Sequence, residues 1–205
     1  MMKVAAITIT YNRLELTKIT VDSFYSKTNV DHHVFVDNGS TDGTQEYLKP
    51  KFSHIFLEKN YGITEAFRFA AEQLFEYDLI LKLDNDIETV TDDIINKMLA
   101  FYEKHGMKFV ASPNDLNLDP SFAPRSLSKL RMGDYNVNFV THTGGAFQMI
   151  PSEICYKLLT DYNHFKLGDQ AIGEFYRAHG YKPIYLTDLQ MKHIGFNQTS
   201  PNYIL

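Results

Sequence analysis

The chain has 205 residues, of which 44% are hydrophobic and 22% are charged. This balance is typical of a globular protein and excludes a largely disordered one. The formal net charge of −5 argues against a broad nucleic-acid-binding surface, which needs an excess of basic residues. The single cysteine, Cys155, excludes an internal disulfide, fits a reducing compartment and is interpreted as a small buried hydrophobe.

Membrane and targeting segments are not evident in the sequence. No stretch approaches the roughly 20 apolar residues that a membrane-spanning helix needs. The apolar start, from Met1 to Thr10, is short and lacks a small-residue cleavage pattern, so Val4 to Thr10 is predicted to be a strand and not a signal peptide. We therefore expect a cytoplasmic protein and leave peripheral contact with a membrane surface open.

Predicted strands alternate with predicted helices through the first half of the chain. The strands are expected at 4–10, 33–36, 55–57, 79–83 and 108–111, and the helices at 14–26, after Asp42, at 63–75 and at 94–102. The helix over 63–75 has the clearest pattern, because apolar residues recur there every three or four positions. This alternation is typical of βαβ units and predicts an α/β fold with a mostly parallel central sheet flanked by helices.

The second half of the chain is less regular. Residues 112–138 contain three prolines and few periodic runs, so an irregular excursion is predicted there. A helix is expected after Gly168-Asp169, and a late strand is expected at 183–186.

Four polar clusters lie at or just beyond the ends of predicted strands. They are Tyr11-Asn12-Arg13, Asp37-Asn38-Gly39, Asn60-Tyr61-Gly62 and Asp84-Asn85-Asp86. Parallel α/β sheets bind ligands beyond the carboxyl ends of their strands, so the clusters predict a binding site. Asp84 and Asp86 are two residues apart after a buried strand, so both carboxylates can point to the same side.

Carboxylate oxygens are ligands that Mg²⁺ and Mn²⁺ prefer, so Asp84 and Asp86 predict a divalent-cation site beside a phosphorylated ligand. The plainer alternative is a pair of turn carboxylates that cap the following helix. The sequence has neither a G-x-G-x-x-G motif nor a P-loop motif. A nucleotide would therefore have to be held by the strand ends and a metal.

In order and spacing, these segments resemble the family 2 glycosyltransferases with the GT-A fold. The matching pieces are ITYNR at 9–13, VDNGSTDGT at 36–44, NYG at 60–62 and LDND at 83–86. The resemblance covers about residues 3–115 well and continues more loosely to about residue 195. It implies a single Rossmann-like GT-A domain over residues 1–205, with a nucleotide-sugar-binding half to about residue 112 and an acceptor-side half from about residue 113.

The resemblance also implies which residues bind the nucleotide sugar. They are Thr10, Tyr11, Arg13, Asp37, Asn60, Gly62, Asp84, Asn85, Gly144 and Gly145. Asp37 would accept a hydrogen bond from an imino N–H of the base, and the glycine pair would allow close backbone approach to the sugar or acceptor. Plain turns are the alternative interpretation of both segments.

A divalent cation, Mn²⁺ or Mg²⁺, is implied with Asp86 and His193 as its protein ligands, since carboxylate and imidazole together suit Mn²⁺. His142 is a weaker candidate for the same role. Arg68 stands about where the family usually has an asparagine; it could serve the diphosphate, and a solvated helix arginine is the alternative interpretation.

Asp169 is the candidate general base, which would take the proton of the attacking hydroxyl. It resembles the second member of the family's acidic pair, with Gly168 in place of the first. A helix N-cap role for Asp169 is compatible with this assignment, since Asp is favoured there. One displacement assisted by this base implies inversion at the anomeric carbon, and retention stays open.

The sequence therefore predicts metal-dependent transfer of a sugar from a nucleoside-diphosphate sugar to an acceptor hydroxyl. A sugar-phosphate nucleotidyltransferase is disfavoured, because the glycine-rich start of those enzymes is absent. A non-catalytic saccharide- or nucleotide-binding module on a degenerate transferase is disfavoured by the presence of Asp84, Asp86 and Asp169. The expected acceptor is a glycan or lipid-linked sugar, with nucleic acid disfavoured, and the sequence does not determine the sugar, the nucleotide or the oligomeric state.

Overall fold

The computed structural model describes residues 1–161 and 168–195, and in these residues ten strands form one mixed sheet. The strands are β1 Val4–Thr10, β2 His32–Asp37, β3 Ser53–Phe56, β4 Leu79–Leu83, β5 Ile87–Thr89, β6 Phe109–Asp115, β7 Ser126–Met132, β8 Tyr135–Val140, β9 Phe147–Pro151 and β10 Lys182–His193. The helices are α1 Leu14–Lys27, α2 Thr44–Leu48, α3 Ile63–Ala71, α4 Ile94–His105, α5 Ser152–Asp161 and α6 Asp169–Ala178, with a 3₁₀ turn over Pro120–Phe122.

The sheet has the strand order β3-β2-β1-β4-β9-β6-β10-β8-β7, with β5 paired to β10. Strands β3, β2, β1 and β4 are parallel, as the alternation of strands and helices predicts. The register pairs Thr10 with Asp37, so the carboxyl ends of β1 and β2 are level. The second half adds antiparallel pairs around β9, β8 and β7. The α/β class is thus confirmed, and the sheet as a whole is mixed instead of mostly parallel.

Helices cover both faces of the sheet, and each face has its own hydrophobic cluster. Alternate residues of β1 and β4 divide between the clusters: Ala6 and Leu81 face α1 and α4, whereas Ala5 and Ile80 face α3, α5 and α6. Burial on both faces explains why these strands are almost continuously apolar. Among the described residues, no helix has both the length and the apolar character needed to cross a membrane.

Two expectations about the elements were wrong. Much of the segment predicted as irregular, 112–138, is strand: β6 continues to Asp115, and β7 and β8 form a hairpin. Strand β7 is at the sheet edge and exposed at all but its last position, so it lacks the apolar alternation that reveals a half-buried strand. Helix α3 ends at Ala71 and not near residue 75, because the Gln73 and Leu74 amides bond three residues back and tighten the chain into turns.

His33 is a buried histidine of β2 whose two ring nitrogens have partners inside the protein. They lie 2.9 Å from the Thr8 hydroxyl and 2.8 Å from the Tyr25 hydroxyl. Burial, with a smaller effect of the neighbouring His32, lowers the pKa of His33 to about 3. The folded protein therefore keeps this imidazole neutral at pH values where an exposed histidine binds a proton.

The pKa of His33 predicts a loss of stability in mild acid. Below about pH 6.5 the unfolded chain binds a proton that folded His33 does not, so the free energy of unfolding falls as the pH drops. The expected contribution of this residue between pH 7 and pH 5 is about 2 kcal/mol, measurable by urea unfolding at each pH. His33→Phe should remove this part of the pH dependence, whereas His54→Phe, at an exposed position of β3, should keep it. Equal pH dependence in native protein and His33→Phe would contradict the assignment.

Gly39, in the loop after β2, is in the left-handed region with φ of +85° and lies against another backbone segment. A Cβ atom at this position would be 2.8 Å from Lys59 Cα. The loop after β2 and the segment before α3 can approach this closely because residue 39 has no side chain.

Gly39→Ala should therefore destabilise the protein by about 3 kcal/mol or more, since it combines a left-handed alanine with a backbone clash. Gly180→Ala is the matched control, because Gly180 has φ of +79° but open space around the position of its Cβ. The control should cost only about 1 kcal/mol. Equal losses in chemical denaturation would show that the close approach to Lys59 contributes nothing.

Candidate active site

Asp37, at the carboxyl end of β2, is completely buried, and its two oxygens accept four hydrogen bonds. The donors are the Thr10 hydroxyl at 2.7 Å, the Ser40 amide at 2.8 Å, the Gln45 side-chain amide at 2.7 Å and the Ser40 hydroxyl. These bonds tie the end of β1, the loop after β2 and α2 together. The direct contact of Asp37 with a base stays a prediction, and the observed contacts give the carboxylate a role in fixing the loop.

The turn after β1 has an unusual backbone. Asn12 and Arg13 are consecutive non-glycine residues with positive φ, 56° and 64°, a conformation that costs free energy and persists only where the surroundings impose it. The Asn12 amide donates to Ser40 Oγ at 2.7 Å, and the Leu14 amide donates to Asp42 Oδ2 at 2.8 Å. The loop after β2 thus imposes the turn, at which the exposed Tyr11 and the partly buried Arg13 lie.

Asn60 and Gly62 are tied to the end of β2 through Asn38. The Asn38 side-chain amide donates to Asn60 Oδ1 at 2.8 Å, and the Tyr61 amide donates to Asn38 Oδ1 at 2.9 Å. The Gly62 amide also donates to Asn60 Oδ1, at 2.8 Å. The segment before α3 is therefore held beside the loop after β2.

Asp86, after β4, is 3% exposed and lies between two basic side chains. Its Oδ2 accepts a hydrogen bond from Arg13 Nη1 at 2.9 Å, and its Oδ1 lies 3.0 Å from His193 Nε2 at the end of β10. Burial raises the pKa of Asp86, but His193 and Arg13 outweigh it and hold that pKa below its ordinary value. Burial lowers the pKa of His193, but Asp86 outweighs it and raises that pKa above its ordinary value. Each group thus favours the charged form of the other.

Asp84 and Asn85 have partners different from those of Asp86. The Asp84 carboxylate contacts the Lys82 ammonium, and the Asn85 side-chain amide donates to the Thr17 hydroxyl of α1 at 3.1 Å. Burial raises the pKa of Asp84, Lys82 lowers it and Asp86 raises it, with a net increase. Asp84 and Asp86 therefore interact electrostatically, while Asn85 is directed to a helix.

Asp169 is the exposed first residue of α6, and Gly168 before it is the capping residue. The Gly145 amide lies 3.4 Å from Asp169 Oδ2. A Cβ atom at Gly145 would lie 3.2 Å from Asp169 Oδ1 and 3.4 Å from Lys82 Nζ, and the Lys82 ammonium also donates to the Gly145 carbonyl. The structure thus brings Asp84, Lys82, Gly145 and Asp169 into one continuous row.

The chain around the glycine pair is supported from the sheet. The Gly144 amide donates to the Tyr185 hydroxyl at 3.0 Å, and the buried Gln148 side chain donates to the Thr143 hydroxyl at 2.5 Å. His142, the weaker metal candidate, packs against α6. The sequence interpretation missed Lys82, Tyr185 and Gln148, although a lysine inside an apolar strand was a usable signal.

A divalent cation would have two protein ligands of suitable chemistry here, the Asp86 carboxylate and the His193 imidazole. Within residues 1–161 and 168–195, no group of three or more His, Cys, Asp or Glu side chains could hold a metal ion by itself. This does not conflict with a nucleotide-bound cation, which takes one or two protein carboxylates together with phosphate oxygens. The residues therefore fit a cation that binds with a diphosphate.

The model of the family described as Glycosyl transferase family 2 matches residues 5–172. Glycosyltransferase AglJ of Haloferax volcanii is 34% identical over 83 residues, which are 40% of this chain and 27% of that protein.

Solved structures with the same fold include GalNAc-T7 with UDP, GalNAc and Mn²⁺ (TM-score 0.76, 14% identity, 94% of this chain and 44% of that one). Mannosyltransferase PcManGT from Pyrobaculum calidifontis, in complex with GDP-Man and Mn²⁺, has a TM-score of 0.72 and 16% identity over 96% of this chain and 58% of that one. TarS 1-349 of S. aureus with UDP-GlcNAc has a TM-score of 0.70 and 18% identity over 98% of this chain and 62% of that one.

This chain thus spans about a quarter of the AglJ protein and about half of the first two structures. At these identities the solved structures establish the GT-A fold. The family match covers most of the chain, from β1 into α6. The chain therefore belongs to glycosyl transferase family 2.

Proposed function

We propose that this protein is a cation-dependent transferase that moves a sugar from a nucleoside-diphosphate sugar to an acceptor hydroxyl. The observation that carries the proposal is the row from Asp84 through Lys82 and Gly145 to Asp169. In this row the exposed carboxylate of Asp169 lies beside predicted sugar-binding residues, although Asp169 is 85 positions after Asp84 in the sequence. The row leads from the same β4 end that carries Asp86.

The nucleotide is proposed to bind at the ends of β1 and β2. Tyr11 and Arg13 border this region, and Asn60 and Gly62 close it from the α3 side. Thr10 and Asp37 support it from beneath, since both are buried and bonded to each other. Similar structures contain UDP, GDP-Man and UDP-GlcNAc, which makes uridine and guanosine donors the first to test.

Asp86 and His193 are proposed to hold Mn²⁺ or Mg²⁺. The cation, when bound, neutralises negative charge on the diphosphate that leaves during transfer. Mn²⁺ is present in two of the similar structures, which favours it for a first experiment. Arg13 adds a fixed positive charge beside Asp86.

Asp169 is proposed to accept the proton of the attacking hydroxyl. Its exposure leaves it accessible to an acceptor, and its contact with the Gly145 amide sets its position. Asp84, Asn85, Gly144 and Gly145 would border the donor sugar. A single displacement assisted by Asp169 inverts the anomeric centre.

The acceptor is proposed to be a glycan or a lipid-linked sugar, and residues 1–205 are proposed to form one domain. Because the chain spans less than two thirds of its relatives, the activity and substrates of the whole protein are part of this proposal. A screen of nucleotide sugars with Mn²⁺ would distinguish the main possibilities. Release of nucleoside diphosphate supports transfer, release of pyrophosphate supports nucleotidyl chemistry, and binding without turnover supports a non-catalytic module.

Asp169→Asn should lower the turnover number by on the order of 10²–10⁴-fold, because the amide cannot take up a proton. Nucleotide affinity in Mn²⁺ should stay within about threefold of native, since the substitution keeps the shape of the side chain. Nucleoside-diphosphate release and calorimetry measure the two effects. Asp134→Asn, a highly exposed acid in the β7–β8 turn, is the control and should change neither. Native turnover in Asp169→Asn would overturn the assignment of the base.

Asp86→Asn and His193→Ala should each weaken Mn²⁺ binding in the presence of UDP or GDP by about tenfold or more, since each removes a protein ligand. Calorimetric titration of Mn²⁺ into nucleotide-saturated protein measures this effect without requiring turnover. Glu153→Gln, which removes an exposed acid that pairs with Lys108, should keep native affinity. If both ligand variants bind Mn²⁺ as the native protein does, the cation lies elsewhere.

A further inference from the structure

Lys82 is a charged residue inside the apolar strand β4. Its neighbours Leu81 and Leu83 face the α1–α4 side, whereas Lys82 shares the opposite side with Ile80. Only 17% of the Lys82 side chain is exposed. Lysine is rarely buried to this extent unless its charge is paired, so the contacts of this ammonium explain its position.

The Lys82 ammonium bridges two parts of the candidate site. On the donor side it pairs with the Asp84 carboxylate two residues later in the chain. On the acceptor side it donates to the Gly145 carbonyl, which precedes β9. The amide of the same glycine faces Asp169 Oδ2 at 3.4 Å. One residue, Gly145, thus contacts Lys82 through its carbonyl and Asp169 through its amide.

The space between Lys82 and Asp169 is also restricted. A side chain at position 145 would begin 3.2 Å from Asp169 Oδ1 and 3.4 Å from Lys82 Nζ. A glycine therefore leaves open a point that both groups border. The neighbouring position on the same face of β4 is Ile80, which is fully buried. This face of the strand thus accepts an apolar side chain and does not itself require a lysine.

We propose that Lys82 is a positioning residue for the transfer reaction, holding the Asp84 carboxylate and the Gly145 backbone in a fixed relation so that Asp169 faces the donor sugar. This inference rests on the proposed function. Lys82 acts through Asp84 and Gly145 and takes no proton. Displacements of about 1 Å can slow a reaction by about 100-fold, so the loss of such a bridge should affect turnover strongly.

The test compares Lys82→Met, which keeps most of the length of the side chain and removes the charged terminal nitrogen, with Lys108→Met, which removes an exposed lysine outside the site. UDP-GlcNAc and GDP-mannose with Mn²⁺ serve as donors, and water serves as the acceptor. Release of nucleoside diphosphate gives the turnover number and the KM for the donor, and thermal unfolding reports the fold. We expect Lys82→Met to lower the turnover number about 100-fold and to change the KM by less than about threefold. Lys108→Met should match the native protein.

A native turnover number in folded Lys82→Met overturns the inference. A donor KM that rises as much as the turnover number falls also overturns it, because Lys82 would then act in binding alone. If Lys82→Met does not fold, Gly145→Ala decides, since its methyl group would enter the space between Lys82 and Asp169. Lost turnover with a native KM in Gly145→Ala supports the inference, and native turnover overturns it. If the native protein binds neither UDP nor GDP with Mn²⁺ and releases no nucleoside diphosphate, the proposed function fails, and the role of Lys82 fails with it.

Discussion

The buried carboxylate of Asp86 is the constraint on which the arrangement of the site depends. A carboxylate that is 3% exposed needs partners, and they come from Arg13 after β1 and His193 at the end of β10. Three segments distant in sequence therefore meet at one charge. The contact between Asp86 and His193 also defines where a cation could bind, because it joins the two side chains whose chemistry suits one.

A second set of contacts connects the end of β4 to the first residue of α6. Strand β9 pairs antiparallel with β4, which places the segment before β9 beside the end of β4. Lys82 then bonds to Gly145, and Gly145 faces Asp169 of α6. Asp169, the predicted base, thus lies near the end of β4 because an antiparallel strand inserts between β4 and β6.

The parallel first half of the fold could be predicted, because its strands are buried on both faces and its helices have apolar stripes. The β7–β8 hairpin could not, because an exposed edge strand has no apolar alternation to reveal it. The antiparallel insertion of β9 could not be predicted from the sequence either, because strand pairing depends on contacts between segments that are distant in the chain. In the site, Asp169 and Gly145 were identified separately, and their contact emerged only from the fold.

The chemical groups at the strand ends could be identified from local sequence, because polar residues that follow apolar strands stand out. Their partners follow only from the fold: Asp37 is enclosed by four donors, Asn85 is directed to α1, and Asp86 is paired with Arg13 and His193. The physical reason is that the carboxyl ends of strands remote in the chain meet at one edge of the sheet. Which side chains touch there is set by strand order and register, which local sequence patterns do not specify.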